Sequence, residues 1–261
     1  MSRWCSKLLV IVGLVLPCAA SPAAELPTGT LRATFIASNP VQARLDPASG
    51  NVAGPAADLT RALAEKLGVQ FRITPAQGVS GVIESVRSSA SDIGFVAFDR
   101  TRAEQVDFSQ TYLLAHNSYI VRADSPIRRL DDVDREGIRI GAGQGDAADL
   151  FLTRSLQRAK LHRVPNSDMA VGLQMVLKGE LDAYAGNRTR LLAMAEREPG
   201  FRVLDENFYS VEQAIAVPKG NAALLSAVEG MIEEARRSGL VQAAIQKAGL
   251  RGVDVAPPRS R

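Results

Sequence analysis

"GFVAFDRTRAEQVDFSQTY", residues 94–112, opens as an apolar run, breaks into a charged turn around Arg100 and Arg102, and closes on Asp107-Phe108-Ser109. A short continuous apolar run bounded by turn-forming residues reads as a strand covered on both faces. An arginine at the end of such a strand stands where side chains leave the core, and it needs an anion or water. The stretch leaves two sources of that anion open: a carboxylate of the chain itself, Asp99 or Asp107, or a bound ligand.

Outward from this strand, strand-like and helix-like segments alternate. "LRATFI" (31–36) is a second buried strand, and Leu59, Ala62, Leu63 and Leu67 mark one face of a helix over 58–67, closed by Gly68. "VQFRI" (69–73), a short helix over 79–87 and the strand at 92–98 complete a first run. The alternation restarts with "GIRIGAG" (137–143), a helix over 146–159, "LHRV" (161–164), a helix over 169–178 and "LDAYAG" (181–186). Two such runs predict an α/β fold of two lobes with mostly parallel sheets. The charged, turn-rich "YIVRADSPIRRLDDVDREG" (119–137) is the expected crossing between lobes. A strand at "QAIAVPKG" (213–220) and a helical pair over 221–249 follow, and "VAPPRSR" (255–261) reads as disordered. No internal sequence repeat is evident.

The 261 residues, 46% hydrophobic and 23% charged, suffice for one large domain or two modest ones. Residues 1–24 stand apart. Arg3 and Lys7 precede the apolar run Leu8 to Leu16, and small neutral residues follow, the order of a cleavable secretory signal peptide. The run is far short of the ~20 apolar residues that span a bilayer. Cys5 and Cys18 leave with this segment, so the mature chain is expected to hold no disulfide and no thiolate metal site. Loss of Arg3 and Lys7 reduces the basic count from 31 to 29 against 28 acidic residues, which gives nucleic acid no electrostatic support as a partner.

Chemical motifs are sparse. No P-loop, HExxH or GxSxG is present, and "GAGQGD" (141–146) has its third glycine misplaced for a dinucleotide loop. The better reading is a strand-to-helix turn whose backbone N–H groups face an anion, with Asp146 either capping the helix or standing beside a ligand. His116 and His162 lack metal-ligand spacing and read as structural. No metal, cofactor or catalytic residue is expected.

The chain nevertheless carries a resemblance. "GTLRATF" (29–35), "GPAADLTRALAEKLGVQF" (54–71), "SASDIGFVAFDRTRAEQVDFSQTY" (89–112), "LDDVDREGIRIGAGQG" (130–145), "KGELDAYAGN" (178–187), "QAIAVPKGN" (213–221) and "SAVEGMIEEARRSGLVQAAIQKAG" (226–249) together resemble the family 3 bacterial periplasmic solute-binding proteins, the polar amino-acid receptors of ABC importers. The resemblance runs in order through nearly all of the mature chain. It implies a type II periplasmic-binding-protein fold, with lobe 1 in residues 25–115 and 212–250, lobe 2 in residues 116–211, two joining strands, and a tail from 251 to 261. It also implies a ligand cleft between the lobes, a periplasmic location, a monomer, and delivery of a small-molecule ligand to an ABC permease in the inner membrane.

By the same resemblance, Arg102 is the residue that grips a ligand's α-carboxylate, and a planar guanidinium suits that task with two charge-assisted hydrogen bonds. The other family positions depart from pattern. A hydroxyl five residues earlier is Ala97, an aromatic before the proline is Ser38, and another is Val79. Threonines after the second-lobe glycine become Asp146 and Ala147, and the acid that binds an α-ammonium falls on Asn187. Glu212, on the returning strand, is a further ligand-site candidate. The resembling cyclohexadienyl dehydratases use a glutamate at a comparable point, so an enzyme with Glu212 as general acid is the alternative to a receptor.

Overall fold

The strand around Gly94 lies in the interior of a mixed sheet, and its neighbours build the first of two lobes. The computed structural model describes residues 29–165 and 169–258; the expected signal peptide lies outside them. In chain order the elements are β1 (Thr30–Ile36), β2 (Arg44–Leu45), β3 (Val52–Ala53), α1 (Pro55–Leu67), β4 (Gln70–Ala76), α2 (Gly78–Arg87), β5 (Ile93–Ala97), β6 (Val106–Phe108) and β7 (Leu113–Arg122). There follow β8 (Arg139–Gly143), α3 (Ala147–Ser155), β9 (Lys160–Val164), α4 (Met169–Leu177), β10 (Ala183–Asn187), α5 (Arg188–Arg197) and β11 (Phe201–Val203). The chain returns through β12 (Tyr209–Pro218), α6 (Ala222–Arg237), α7 (Leu240–Lys247) and β13 (Val253–Val255).

The main sheet has the order β4-β1-β5-β12-β7-β10-β8-β9. In lobe 1, β1 runs parallel to β4 and β5, and in lobe 2, β8 runs parallel to β9 and β10. The two long strands run antiparallel, β12 against β5 and β7 against β10. The short β6, β11 and β13 add antiparallel pairs to them, so the sheet is mixed rather than mostly parallel. The two long strands also pair with each other, Tyr209–Gln213 against Leu113–Asn117, and so join the lobes. The first crossing therefore lies at β7, upstream of most of the turn-rich segment expected to make it. Those charged residues instead form the loop leading into β8, because a long extended strand can continue the hydrogen-bonded ladder from one lobe into the other and a turn-rich segment cannot.

Apolar faces account for the layers. Phe35, Leu59, Leu63, Phe95, Ile215 and Val228 share one core under α1 and α6. Val82, Val86, Val96 and Ala216 form another under α2. Lobe 2 repeats the plan, with Tyr119, Ile140 and Leu152 on one side and Leu173, Tyr184 and Leu191 on the other. Helix α1 shows why the pattern was legible. Pro55 opens it, Asp58 and Lys66 complement its dipole, and Gly68 (φ 68°) ends it, with the Val69 N–H returning to the Ala64 carbonyl.

A repeat missed in the sequence emerges in space. Asp92 accepts from the Arg32 backbone N–H (2.8 Å) and its guanidinium (2.6 and 3.1 Å). Asp182 does the same for Arg139 at 2.8, 2.9 and 3.0 Å. Each pair ties the first strand of its lobe to the segment entering β5 or β10. The shared signal is one Arg and one Asp, too little for sequence self-similarity to reveal.

Two further expectations are corrected. Residues 253–255, assigned to a disordered tail, form β13 and pair with β7 at Ala115, Leu114 and Leu113, because Val253 and Ala256 find apolar cover. Helix α3 ends at Ser155 rather than 159. Its last expected turn is displaced by the Asp134 carboxylate, which accepts from the backbone N–H groups of Gln157, Arg158 and Ala159.

Candidate functional site

Between the lobes lies a cavity of about 360 Å³, at the small end of ligand pockets. Its first wall grows from the end of β5. Asp99 Oδ1 accepts from the Thr101 (2.9 Å) and Arg102 (3.2 Å) backbone N–H groups and turns the chain into a short 3₁₀ segment, Arg102–Glu104. Arg102 Nη1 then donates to the Ala97 carbonyl at 2.8 Å, which aims the half-buried guanidinium into the cavity. Asp107, the other intramolecular candidate, is occupied by Lys219 at 2.8 Å and the Gly220 N–H at 2.7 Å. The ammonium of Lys219 holds its carboxyl below the usual range. Among the described residues, Arg102 makes no ion pair.

The second wall is a chain of amides. The Ile36 N–H donates to Gln42 Oε1 at 2.9 Å, and Gln42 Nε2 donates to Gln213 Oε1 at 3.0 Å, all buried. Gln42 is placed by Gly54, where φ is 129° and an added Cβ would stand 2.9 Å from Ala43 Cα and 3.0 Å from the Gln42 carbonyl. Because Gln213 Oε1 is taken, its Nε2 is the group presented to the cavity. Ser38 and Val79 also line this side.

Lobe 2 supplies the third wall. Asn187 ends β10 and caps α5, its Oδ1 accepting from the Arg190 N–H at 3.3 Å. Across the ladder from Asn187 is Asn117 on β7, 3% exposed, whose Nδ2 has no hydrogen-bond partner among the described residues. Asp146 and Ala147 line the cavity from the turn before α3. Asp146 occupies the N-cap position without a side-chain cap bond. Asp149 shapes that turn instead, accepting from the Gly145 N–H at 2.9 Å and from Arg163 Nε at 2.9 Å. Tyr184 stands behind, in van der Waals contact with Gly172, where an added Cβ would lie 2.2 Å from the ring.

The structure thus brings Arg102, Ala97, Ser38, Asp146, Ala147 and Asn187 to one cavity. Glu212 does not belong there. Strand alternation puts Val211 and Gln213 on the cavity face and turns Glu212 to the opposite, exposed face. There it accepts from Thr111 Oγ1 at 3.1 Å. His116, between the cavity-facing Ala115 and Asn117, likewise points away, bonded to Ser210 (2.7 Å) and Asp254 (2.8 Å). His162 is an exposed residue of β9. Among the described residues no group of three or more His, Cys, Asp or Glu side chains is placed to hold a metal, and no helix is long and apolar enough to cross a membrane.

Sequence reasoning missed Gln42, Asn117, Arg190 and Gln213, which also bear on the cavity. Gln213 carried a usable signal, an amide leading into the apolar run 214–217, which is costly to bury unless it is partnered, whereas Asn117 was masked by its polar neighbours His116 and Ser118. Gln42 and Arg190 had no such signal.

Residues 33–250 match the family described as bacterial extracellular solute-binding proteins, family 3. The chain is 27% identical over 203 residues to the L-cystine-binding protein TcyJ of Escherichia coli (strain K12), covering 76% of this chain and 74% of that protein. Among solved structures it is similar to an ancestral cationic amino acid solute-binding protein (TM-score 0.66, 24% identity, 84% of this chain and 95% of that chain). It is also similar to an ancestral arginine-binding protein bound to arginine (TM-score 0.63, 26% identity, 84% and 97%).

Proposed function

Since the chain belongs to the bacterial extracellular solute-binding proteins, family 3, we propose that it is a periplasmic receptor that captures a small carboxylate-bearing solute. The lobes close over the solute, and an ABC permease of the inner membrane receives it. In this reading residues 25–115 and 212–250 make one lobe and residues 116–211 the other, with the cleft between them. The observation that carries the reading is the Arg102 guanidinium, aimed into the inter-lobe cavity by the Ala97 carbonyl and without a carboxylate partner among the described residues. A guanidinium left this way in a closing cleft needs a ligand anion to offset its desolvation. The relatives' names agree in kind, because L-cystine and arginine both carry a carboxylate.

The test is mass spectrometry of solute released by denaturing the purified protein, followed by a thermal-shift titration with the compound found. A ligand at 100 times its Kd adds ~2.7 kcal/mol of stability. Recovery of a solute without an acidic group would sink the reading. The dehydratase-like alternative required Glu212 inside the cleft, and Glu212 faces away from it. Prephenate and arogenate incubated with the protein should therefore remain unchanged by ultraviolet absorbance.

A further inference from the structure

Arg102 is not the only cation of the cleft. Arg190, one turn into α5 on the opposite lobe, also lines the cavity and makes no ion pair among the described residues. What sets Arg190 apart is its place on the cavity wall facing Arg102, since other surface arginines of the chain also make no ion pair among the described residues. Against these two guanidiniums the cavity lining offers one carboxylate, Asp146.

The neutral groups lean the same way. The Ile36 N–H dictates the orientation of Gln42, which dictates that of Gln213, so Gln213 offers an N–H to the cavity. The Arg190 backbone N–H dictates the orientation of Asn187, whose remaining polar group is again an N–H donor. Asn117 also lines the cavity, although its Nδ2, without a partner among the described residues, is shielded from solvent in this structure. Donors therefore converge from both lobes and from the joining strands. Val79, Leu150 and Val211 provide an apolar surface between them.

Arg190 is exposed in this structure, so a ligand with one carboxylate would meet Arg102 alone and leave Arg190 without a partner for whatever water it loses on closure. We propose that the cleft is selective for linear dicarboxylates, with one carboxylate on Arg102 of lobe 1 and the other on Arg190 of lobe 2. The hydrocarbon between them lies over the apolar wall. Arg190 is then the residue that separates dicarboxylates from monocarboxylates and draws the lobes together over the ligand. An amino dicarboxylate and its counterpart lacking the amino group share this chemistry. Asp146 is the group that an ammonium would meet. The inference rests on the carboxylate-receptor reading above.

Isothermal titration calorimetry on the intact protein tests it with the dicarboxylates from malonate to adipate, the monocarboxylates of matching length, and the isosteric pair L-glutamate and L-glutamine. At least one dicarboxylate, with or without the amino group, should bind ~10-fold or more tightly than its singly charged counterpart, the value of about one charge-assisted contact. Arg190→Gln should erase that preference, and Arg190→Lys should keep part of it; circular dichroism checks that both are folded. The pairing of glutarate with L-glutamate reveals whether Asp146 adds an ammonium contact. Monocarboxylates or glutamine binding as tightly as the dicarboxylates, or a preference that survives Arg190→Gln, overturns the inference while leaving Arg102 and the receptor reading in place. Failure of every carboxylate in the panel to bind overturns this inference; the receptor reading falls with it only if the solute released by denaturation has no acidic group.

Discussion

Gln42 Nε2 stands 3.0 Å from Gln213 Oε1, and the contact joins the loop after β1 to the strand that crosses between the lobes. With Gln42 Oε1 held by the Ile36 N–H at 2.9 Å, the amide chain has a direction, and that direction ends as a donor in the cleft. Gln42→Leu strands a buried N–H and a buried carbonyl, at ~1–3 kcal/mol for each group left without a partner. Urea unfolding should show the loss. Gln42→Glu keeps the acceptor for Ile36 but forces Gln213 to turn over and present its oxygen. Calorimetry should then show weaker binding of an anionic ligand, beyond what the change in stability explains.

Arg102→Ala should reduce ligand affinity by ~30-fold to several thousand-fold, because removing one partner of a desolvated charge pair costs roughly 2–5 kcal/mol. The fold should survive, since among the described residues the guanidinium's one hydrogen bond is to the half-buried Ala97 carbonyl. Arg102→Lys should also bind poorly, because a point charge cannot copy the planar fork. Unchanged affinity in either variant would remove Arg102 from the site.

Asn187→Asp should strengthen binding of α-amino acids and weaken binding of the matched acids without the amino group. The aspartate keeps one oxygen for the Arg190 N–H and gains a second for an ammonium, whereas the asparagine offers the cleft only N–H groups. Hydrogen bonds to charged groups contribute about 1.5–3 kcal/mol against ~1 for neutral ones, so a change of ~10-fold is expected. If titrations of the two proteins coincide across the panel, position 187 does not face the ligand.

Deleting the chain after Gly252 should destabilise the protein by ~2 kcal/mol or more, since it strips Val253 and Ala256 from their apolar cover and leaves β7 short of a ladder partner. Asp254→Ala should cost under ~1 kcal/mol, because the carboxylate bonded to His116 is 74% exposed. Chemical denaturation gives both values. The reverse ranking would mean that the ion pair, and not the strand, holds the tail.

Acid should loosen the lobe 2 latch. Hydrogen bonds from Arg139 hold the Asp182 carboxyl below its usual range. A carboxylate whose folded pKa lies beneath its unfolded value of about 3.9 stabilises the fold above that pH and loses the contribution as pH falls through the folded value. The melting temperature should drop below pH ~4, and the drop should be shallower in Asp182→Asn, which starts from a lower plateau. Parallel curves for the two proteins would show that the latch does not titrate in this window.

The residues by themselves determined the two α/β runs, because apolar periodicity and helix-ending glycines such as Gly68 are local properties. They also marked Arg102, since a charged side chain leaving a buried strand is visible without knowing its partners. The exclusion of Glu212 required the register of β12 against β5 and β7, and one residue of shift would have turned it into the cleft. The convergence of Gln42, Asn117, Arg190 and Gln213 likewise depended on long-range pairings. Gln42 and Gln213 are 171 positions apart, and nothing local signals that their amides meet. The β13 strand was misread for the same reason: its cover is β7, more than a hundred residues earlier in the chain. Sequence pattern decides which segments become strands and helices, because burial of one face is encoded residue by residue. Which side chains share a cavity is decided by strand order and register, a property of the whole sheet.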